Sequence, residues 1–292
     1  MMNRKTRIAR ISILSNTFLI LIKGIAGLLS GSISILSEAI HSFMDLLASI
    51  IAFFSVKISG SPADERHPYG HGKFENISGV IEALLILIAA FWIIYESIHA
   101  IINPGEVETI GLGFIVMTVS AIINSVSAII NSVVSYFLYK VARETESVAL
   151  EADALHLKTD VYTSLGVAFG LLLIWITGYH IVDPIIAILI ALLILKESFT
   201  LFRKAYEPLL DIALSAEEIG QVRKVLDHYC KSGANYHDLR TRKAGNFRYI
   251  DLHLNLDENL TVKQAHEICD QIESDVKNIL PNTEVTIHVE NL

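Results

Sequence analysis

Near positions 8–29, 34–56, 77–102, 110–139, 150–178 and 181–202 the chain carries apolar runs. Each is long enough to cross the hydrocarbon core of a bilayer, which takes about 20 helical residues. Backbone inside hydrocarbon must satisfy its own hydrogen bonds, and runs of this length do so as helices. The expectation is therefore an integral membrane protein with six spanning helices. A hydrophobic content of 52% is too high for one soluble core and agrees with it. The opening MMNRKTRIAR is basic, but no small-residue cleavage pattern follows, so the first run reads as a retained span and not a removable leader.

Lysine and arginine set the expected orientation. Arg4, Lys5, Arg7 and Arg10 precede the first run; Lys57, Arg66 and Lys73 lie between the second and third; Lys140 and Arg143 follow the fourth; Arg203 and Lys204 follow the sixth. The alternate connections carry none, which places both termini in the cytoplasm. A boundary is expected near 211, separating a membrane domain (1–211) from a polar segment (212–292) with helices near 215–231 and 261–279 and strands near 236–243, 247–255 and 284–290. The order αββαβ is that of a small ferredoxin-like α+β domain. Along its strands Ile250, Leu252 and Leu254 alternate with Tyr249, Asp251 and His253, and Val285, Ile287 and Val289 with Thr286, His288 and Glu290. One sheet face should be core and the other should display His253, His288 and Glu290. Cys230 and Cys269 offer no disulfide framework. The formal charge of −8 argues against nucleic acid as a partner.

The chemistry is concentrated in two spans. His41 and Asp45 in the second run, and His156 and Asp160 in the fifth, are each spaced i, i+4, which puts both side chains of a pair on one helix face. A mid-membrane aspartate costs roughly 2.5–3.5 kcal/mol on insertion scales, so two cost about 5–7 kcal/mol, more than a packing role would justify. Asp45 and Asp160 fall at matching depth in helices of opposite direction. Two imidazoles and two carboxylates form a four-coordinate set whose charge of −2 balances a divalent cation; it suits Zn2+ and tolerates Cd2+ or Co2+. An imidazole must be neutral to bind, so metal entry and proton loss are linked and proton antiport follows as an expectation.

Other candidates are weaker. The loop Asp64 to Lys73 offers Asp64, His67 and His71, with Gly70 and Gly72 permitting a sharp turn; a solvated polar loop is the plain alternative. His253, His288 and Glu290 share a sheet face and could combine with His237 and His266, whereas His228 reads as an ordinary surface histidine. Ser120–Val126 is repeated as Ser127–Val133, so Asn124 and Asn131 share a face, as an inter-helix polar seam or as the wall of a polar path. Lys158 should point away from the ligand face and snorkel. Lys23 fits either a protein-lined or a snorkelling position.

Together these residues resemble the cation diffusion facilitator family over essentially the whole chain. The resemblance is carried by the His41–Asp45 and His156–Asp160 motifs, the loop D-E-R-H-P-Y-G-H-G-K from Asp64 to Lys73, and a C-terminal part with H-D-L-R-T-R from His237 that ends in V-T-I-H-V-E. It implies six spans and a cytoplasmic metallochaperone-like domain, assembled as a homodimer in a cell (inner) membrane of bacterial type and exporting divalent metal in exchange for protons. It further implies a transport site of His41, Asp45, His156 and Asp160, a loop site of Asp64, His67 and His71, and a dimer-bridging cytoplasmic site of His237, His253, His266, His288 and Glu290. Lys73 and Asp211 match a salt-bridged pair of that family. Two positions depart from the pattern: His41 stands where many bacterial relatives have aspartate, and Glu290 where aspartate is usual. The first favours zinc over iron or manganese. The rivals are an iron or manganese exporter of the same family and a membrane-anchored metal sensor without flux; a membrane metalloprotease lacks its H-E-x-x-H sequence.

Overall fold

A computed structural model describes residues 4–30, 33–103, 112–177, 179, 181–230 and 235–291. Two compact units divide at Tyr206/Glu207. The first holds six long helices: α1 (Arg4–Ser30), α2 (Ile33–Ser59), α3 (Lys73–Ile102), α4 (Leu112–Thr145), α5 (Val148–Thr177) and α6 (Val182–Tyr206). They enclose the apolar runs read from the sequence apart from Ile181, which is in a turn, and residues outside the described ones, and they extend past the runs at several ends because helical hydrogen bonding continues into the polar flanks. α1, α2, α3, α4 and α6 are each long and apolar enough to cross a membrane. In α5 the charged residues Glu151, Asp153, Lys158 and Asp160 are confined to the first half, and the second half is apolar. The membrane unit is a multi-pass helical bundle.

Within the bundle α3 lies along α6, α1 along α2, and α4 along α5, while α5 also touches α2, α3 and α6. Lipid tails are as apolar as leucine, so close packing of small residues holds such helices together. Ala83, Ala90, Ala152 and Ala205 are fully buried with Ile86 and Ile194 where α3, α5 and α6 meet. There Gly79 allows a close approach: a Cβ on it would stand 2.8 Å from Val148 Cγ1 and 3.0 Å from Ala205 Cβ. Leu14, Phe18, Phe91, Trp92 and Leu189 point outward, as a lipid-facing surface requires.

Buried polar contacts bind the end of the bundle at which α2 passes into α3 and α4 into α5. Lys5 Nζ donates to Glu75 Oε1 at 2.9 Å, Ser59 Oγ donates to the same oxygen at 2.6 Å, and Ser147 Oγ donates to Glu75 Oε2. Lys5 thus sits inside the helix packing, where the sequence had suggested a flanking charge.

The second unit begins with a 3-10 turn (Glu207–Leu210) and continues with α7 (Ala216–Tyr229), β1 (Asn235–Ala244), β2 (Phe247–Leu256), α8 (Val262–Ile279) and β3 (Thr283–Asn291). Ser215 with Glu218 and Thr261 with Gln264 form capping boxes that start the two helices. Gly245, at φ +61°, opens the β1–β2 turn. The sheet order is β1-β2-β3, with β1 antiparallel to β2 and β3 parallel to it through the α8 crossover. α7 and α8 cover one sheet face, burying Val222, Leu226, Leu252, Leu254 and Ile272. This is the expected αββαβ domain, with one correction: Tyr249 is buried beneath the Arg242 guanidinium, 4.5 Å from its ring centre, and does not lie on an open face.

Candidate metal centres

α2 and α5 bring the two i, i+4 pairs together. The ligand atoms of His41, Asp45 and Asp160 lie within 4.8 Å of one another. His41 Nε2 is 3.8 Å from Asp45 Oδ1 and 3.8 Å from Asp160 Oδ1, and His156 Nε2 is 3.1 Å from Asp45 Oδ1. Ligands about 2.0–2.1 Å from a tetrahedral zinc stand about 3.3 Å apart, so small side-chain shifts would close this set around one ion. Asp45 is buried, His156 and Asp160 are partly buried, and the His41 side chain is exposed in the isolated chain.

The surroundings hold these groups in place. Asn131 Nδ2 donates to Asp160 Oδ2 at 3.4 Å, so the repeated segment of α4 supplies a direct support to a ligand. Asn16 Nδ2 donates to the Asp45 carbonyl at 3.3 Å and to Ser49 Oγ at 2.7 Å. Lys23 is protein-lined: it is buried and its Nζ donates to Ser42 Oγ at 3.0 Å, beside His41. Lys158 points away from the ligands, its Nζ 5.2 Å from the Tyr162 ring centre and 5.7 Å from that of Tyr139. Glu75, Glu82 and Asp153 are buried ionisable groups that the sequence reading passed over. An inventory of every acid inside an apolar run would have found Glu82 and Asp153.

In the α2–α3 loop, Asp64 Oδ1 accepts from the backbone N–H groups of Arg66 and His67 at 2.9 and 2.7 Å. The His67 N–H, ahead of smaller contributions, holds the Asp64 carboxyl below the usual aspartate range. His67 Nδ1 lies 3.3 Å from Asp64 Oδ1 and His71 Nε2 3.4 Å from Oδ2, and the chain turns at Gly70 with φ +78°. The three candidate loop ligands therefore face one another.

On the second unit, His237 pairs with His253 and His253 with His288 in strand register, so the three imidazoles form a row across the sheet. Their ring centres are 5.0 and 4.9 Å apart. Glu290 joins them: one oxygen is 3.0 Å from His237 Nε2, the other 3.0 Å from His253 Nδ1 and 3.9 Å from His288 Nε2. The hydrogen bond from His237, assisted by His253, holds the Glu290 carboxyl below the usual glutamate range. His266 does not join this group within the chain. It lies on α8, across the sheet from the row, and its Nε2 is 3.7 Å from Asp270. The row faces away from the helices because His253 alternates with the core residues Leu252 and Leu254. Lys73 opens α3 in the first unit; Asp211, in the second, has φ +55° and lies 3.7 Å from Arg242. His228 meets Tyr229 edge-on and nothing gives it a functional setting.

Imidazole and carboxylate groups gathered within a bundle of long apolar helices, followed by a domain with a histidine row, have the make-up of a membrane protein able to hold metal ions. Residues 9–210 match the cation efflux transmembrane domain and residues 214–292 the cytoplasmic domain of cation efflux proteins. The chain belongs to the cation efflux family. Over 280 residues it is 36% identical to the cation-efflux pump FieF of Shewanella oneidensis, covering 96% of this chain and 92% of the relative. The FieF of Klebsiella pneumoniae is 33% identical over 270 residues, with coverage of 92% and 87%. An uncharacterised transporter of Synechocystis is 31% identical over 264 residues, with coverage of 90% and 83%.

Proposed function

We propose that this efflux protein exports a zinc-class divalent cation by exchange with protons, through the site formed by His41, Asp45, His156 and Asp160. The convergence of two imidazoles and two carboxylates from α2 and α5 carries the reading: among the candidate clusters it lies within the spanning helices, where a cargo ion must pass. The ion enters from the cytoplasmic side, on which both termini lie, replaces protons on the ligands, and is released outward when the helices rock and protons return. Neutral nitrogen donors favour zinc over magnesium or calcium, which prefer oxygen shells. Asp64, His67 and His71 bind a second ion at the loop. The row of His237, His253, His288 and Glu290 binds metal in the cytoplasmic domain, and His266 from a second copy of the chain completes it in a homodimer, since His266 cannot reach the row of its own sheet.

The test is zinc uptake into sealed proteoliposomes under an imposed pH gradient. Asp160→Ala should abolish gradient-dependent uptake while the protein still elutes as a folded species. Undiminished uptake by that variant would remove the assignment.

A further inference from the structure

Two buried carboxylates of the six-helix unit belong to neither the ligand cluster nor an ion pair among the described residues: Glu82 of α3 and Asp153 of α5. They are 1% and 0% exposed. Ser78 Oγ donates to Glu82 Oε1 at 3.2 Å, and Ser49 Oγ donates to Asp153 Oδ1 at 2.9 Å. The other oxygens, Glu82 Oε2 and Asp153 Oδ2, are buried without a hydrogen-bond partner. Ala83, next to Glu82, packs in one buried cluster with Ala152 and Leu155, which adjoin Asp153 and His156, so the two acids occupy the same α3–α5 interface and interact through space with His156, and Asp153 also with Asp45. Asp153 precedes His156 by three residues on α5, about 4.5 Å of rise and on adjoining positions of the helix surface. Through Ser49 it also shares a hydrogen-bond network with Asn16, which holds the Asp45 carbonyl.

Packing alone does not require acids here. Glutamine at 82 and asparagine at 153 would keep both serine hydrogen bonds without placing two like charges together away from water. Two buried carboxylates in the same interface are relieved when one of them carries a proton. A divalent cation arriving beside His156 supplies the opposite field and favours their ionised form. The groups that face the pair are His156 from α5 and Asp45 from α2, while Ser12 and Ser49 are neutral. The next acid along α3, Glu75, already has Lys5 as its counter-charge.

We propose that Glu82 and Asp153 form a proton-holding pair that discharges when a divalent cation occupies the His41, Asp45, His156 and Asp160 site, and so supplies part of the proton side of the exchange. The inference rests on the exchange reading above. On cation binding a carboxylic O–H bond breaks and the proton leaves for the solution; on cation release the carboxylate takes a proton back.

The test uses the full chain in detergent, with Asp64→Ala and His253→Ala silencing the outer sites, and counts protons released per zinc bound in weakly buffered solution. Glu82→Gln/Asp153→Asn should bind zinc yet release about one proton fewer than its parent. The infrared carbonyl band of a protonated carboxylic acid should vanish on zinc addition in the parent and be smaller beforehand in each single variant. Equal proton release by parent and double variant, or an unchanged infrared band in both single variants, would overturn the inference while leaving the exchange reading intact. If the parent releases no protons on binding zinc, the exchange reading itself fails. Should the double variant not fold, the single variants and their infrared difference spectra decide.

Discussion

Among the residues of the proposed transport site, His41 is the one on which ion choice should depend most. It approaches both aspartates from α2, at 3.8 Å each, and it is the more open of the two imidazoles. Replacing it with aspartate removes a borderline nitrogen donor and adds a charge, giving a harder site. His41→Asp should weaken zinc transport and increase competition by manganese or iron; an unchanged order of competing metals in vesicle uptake would show that His41 does not set selectivity. In the second unit, burial pushes the Glu218 carboxyl up, but the Arg248 guanidinium at 2.8 Å and the Ser215 N–H and hydroxyl outweigh it and hold it below the ordinary value. A carboxylate lowered on folding contributes stability above its unfolded pKa of about 4.3, and that contribution is lost as pH falls through the folded value. Glu218→Gln should therefore cost about 1 kcal/mol at neutral pH and little near pH 3, read from amide exchange at the start of α7 in the full chain.

At the scale of elements, the Lys5–Glu75 pair decides how four helices meet. Lys5 comes from α1 and Glu75 from α3, while Ser59 ends α2 and Ser147 precedes α5. The lysine and glutamate side chains are 8% and 0% exposed, so removing one partner strands a buried charge, at a cost of about 3–5 kcal/mol. Lys5→Met should lower thermal stability in detergent by that order, and adding Glu75→Gln should recover much of the loss. A double variant as unstable as the sum of its single changes would show that the two charges are not coupled. The same pair explains why counting basic residues misreads Lys5: charge counts see composition near a span, whereas burial depends on which helix comes to lie beside it.

For the whole molecule, the proposed function divides the metal chemistry between the domains. On that proposal the cluster of α2 and α5 carries flux, and the histidine row of the second unit serves binding. His253 is at the centre of that row, flanked in register by His237 and His288. His253→Ala should remove at least one zinc equivalent from the full chain in equilibrium dialysis yet leave vesicle uptake within about two-fold of wild type. A complete loss of uptake would tie the row directly to transport.

Much of this was legible from local pattern. Six long apolar runs dictated six helices because hydrocarbon leaves the backbone no other partner, and i, i+4 spacing placed His41 with Asp45 and His156 with Asp160 because a helix repeats every 3.6 residues. Strand alternation placed His253 and His288 on one face for the same kind of reason. Other features depend on which elements become neighbours. Asn131 reaches Asp160, Lys23 finds Ser42, Lys5 is buried against Glu75, Tyr249 goes under Arg242, and Glu82 and Asp153 come to lie in one α3–α5 interface. His266 is separated from the row because α8 packs on the opposite face of the sheet. By itself the sequence determined periodicity, and with it the faces on which ligands lie. Tertiary structure alone decided their partners, because a contact between distant residues is set by packing and not by spacing along one helix or strand.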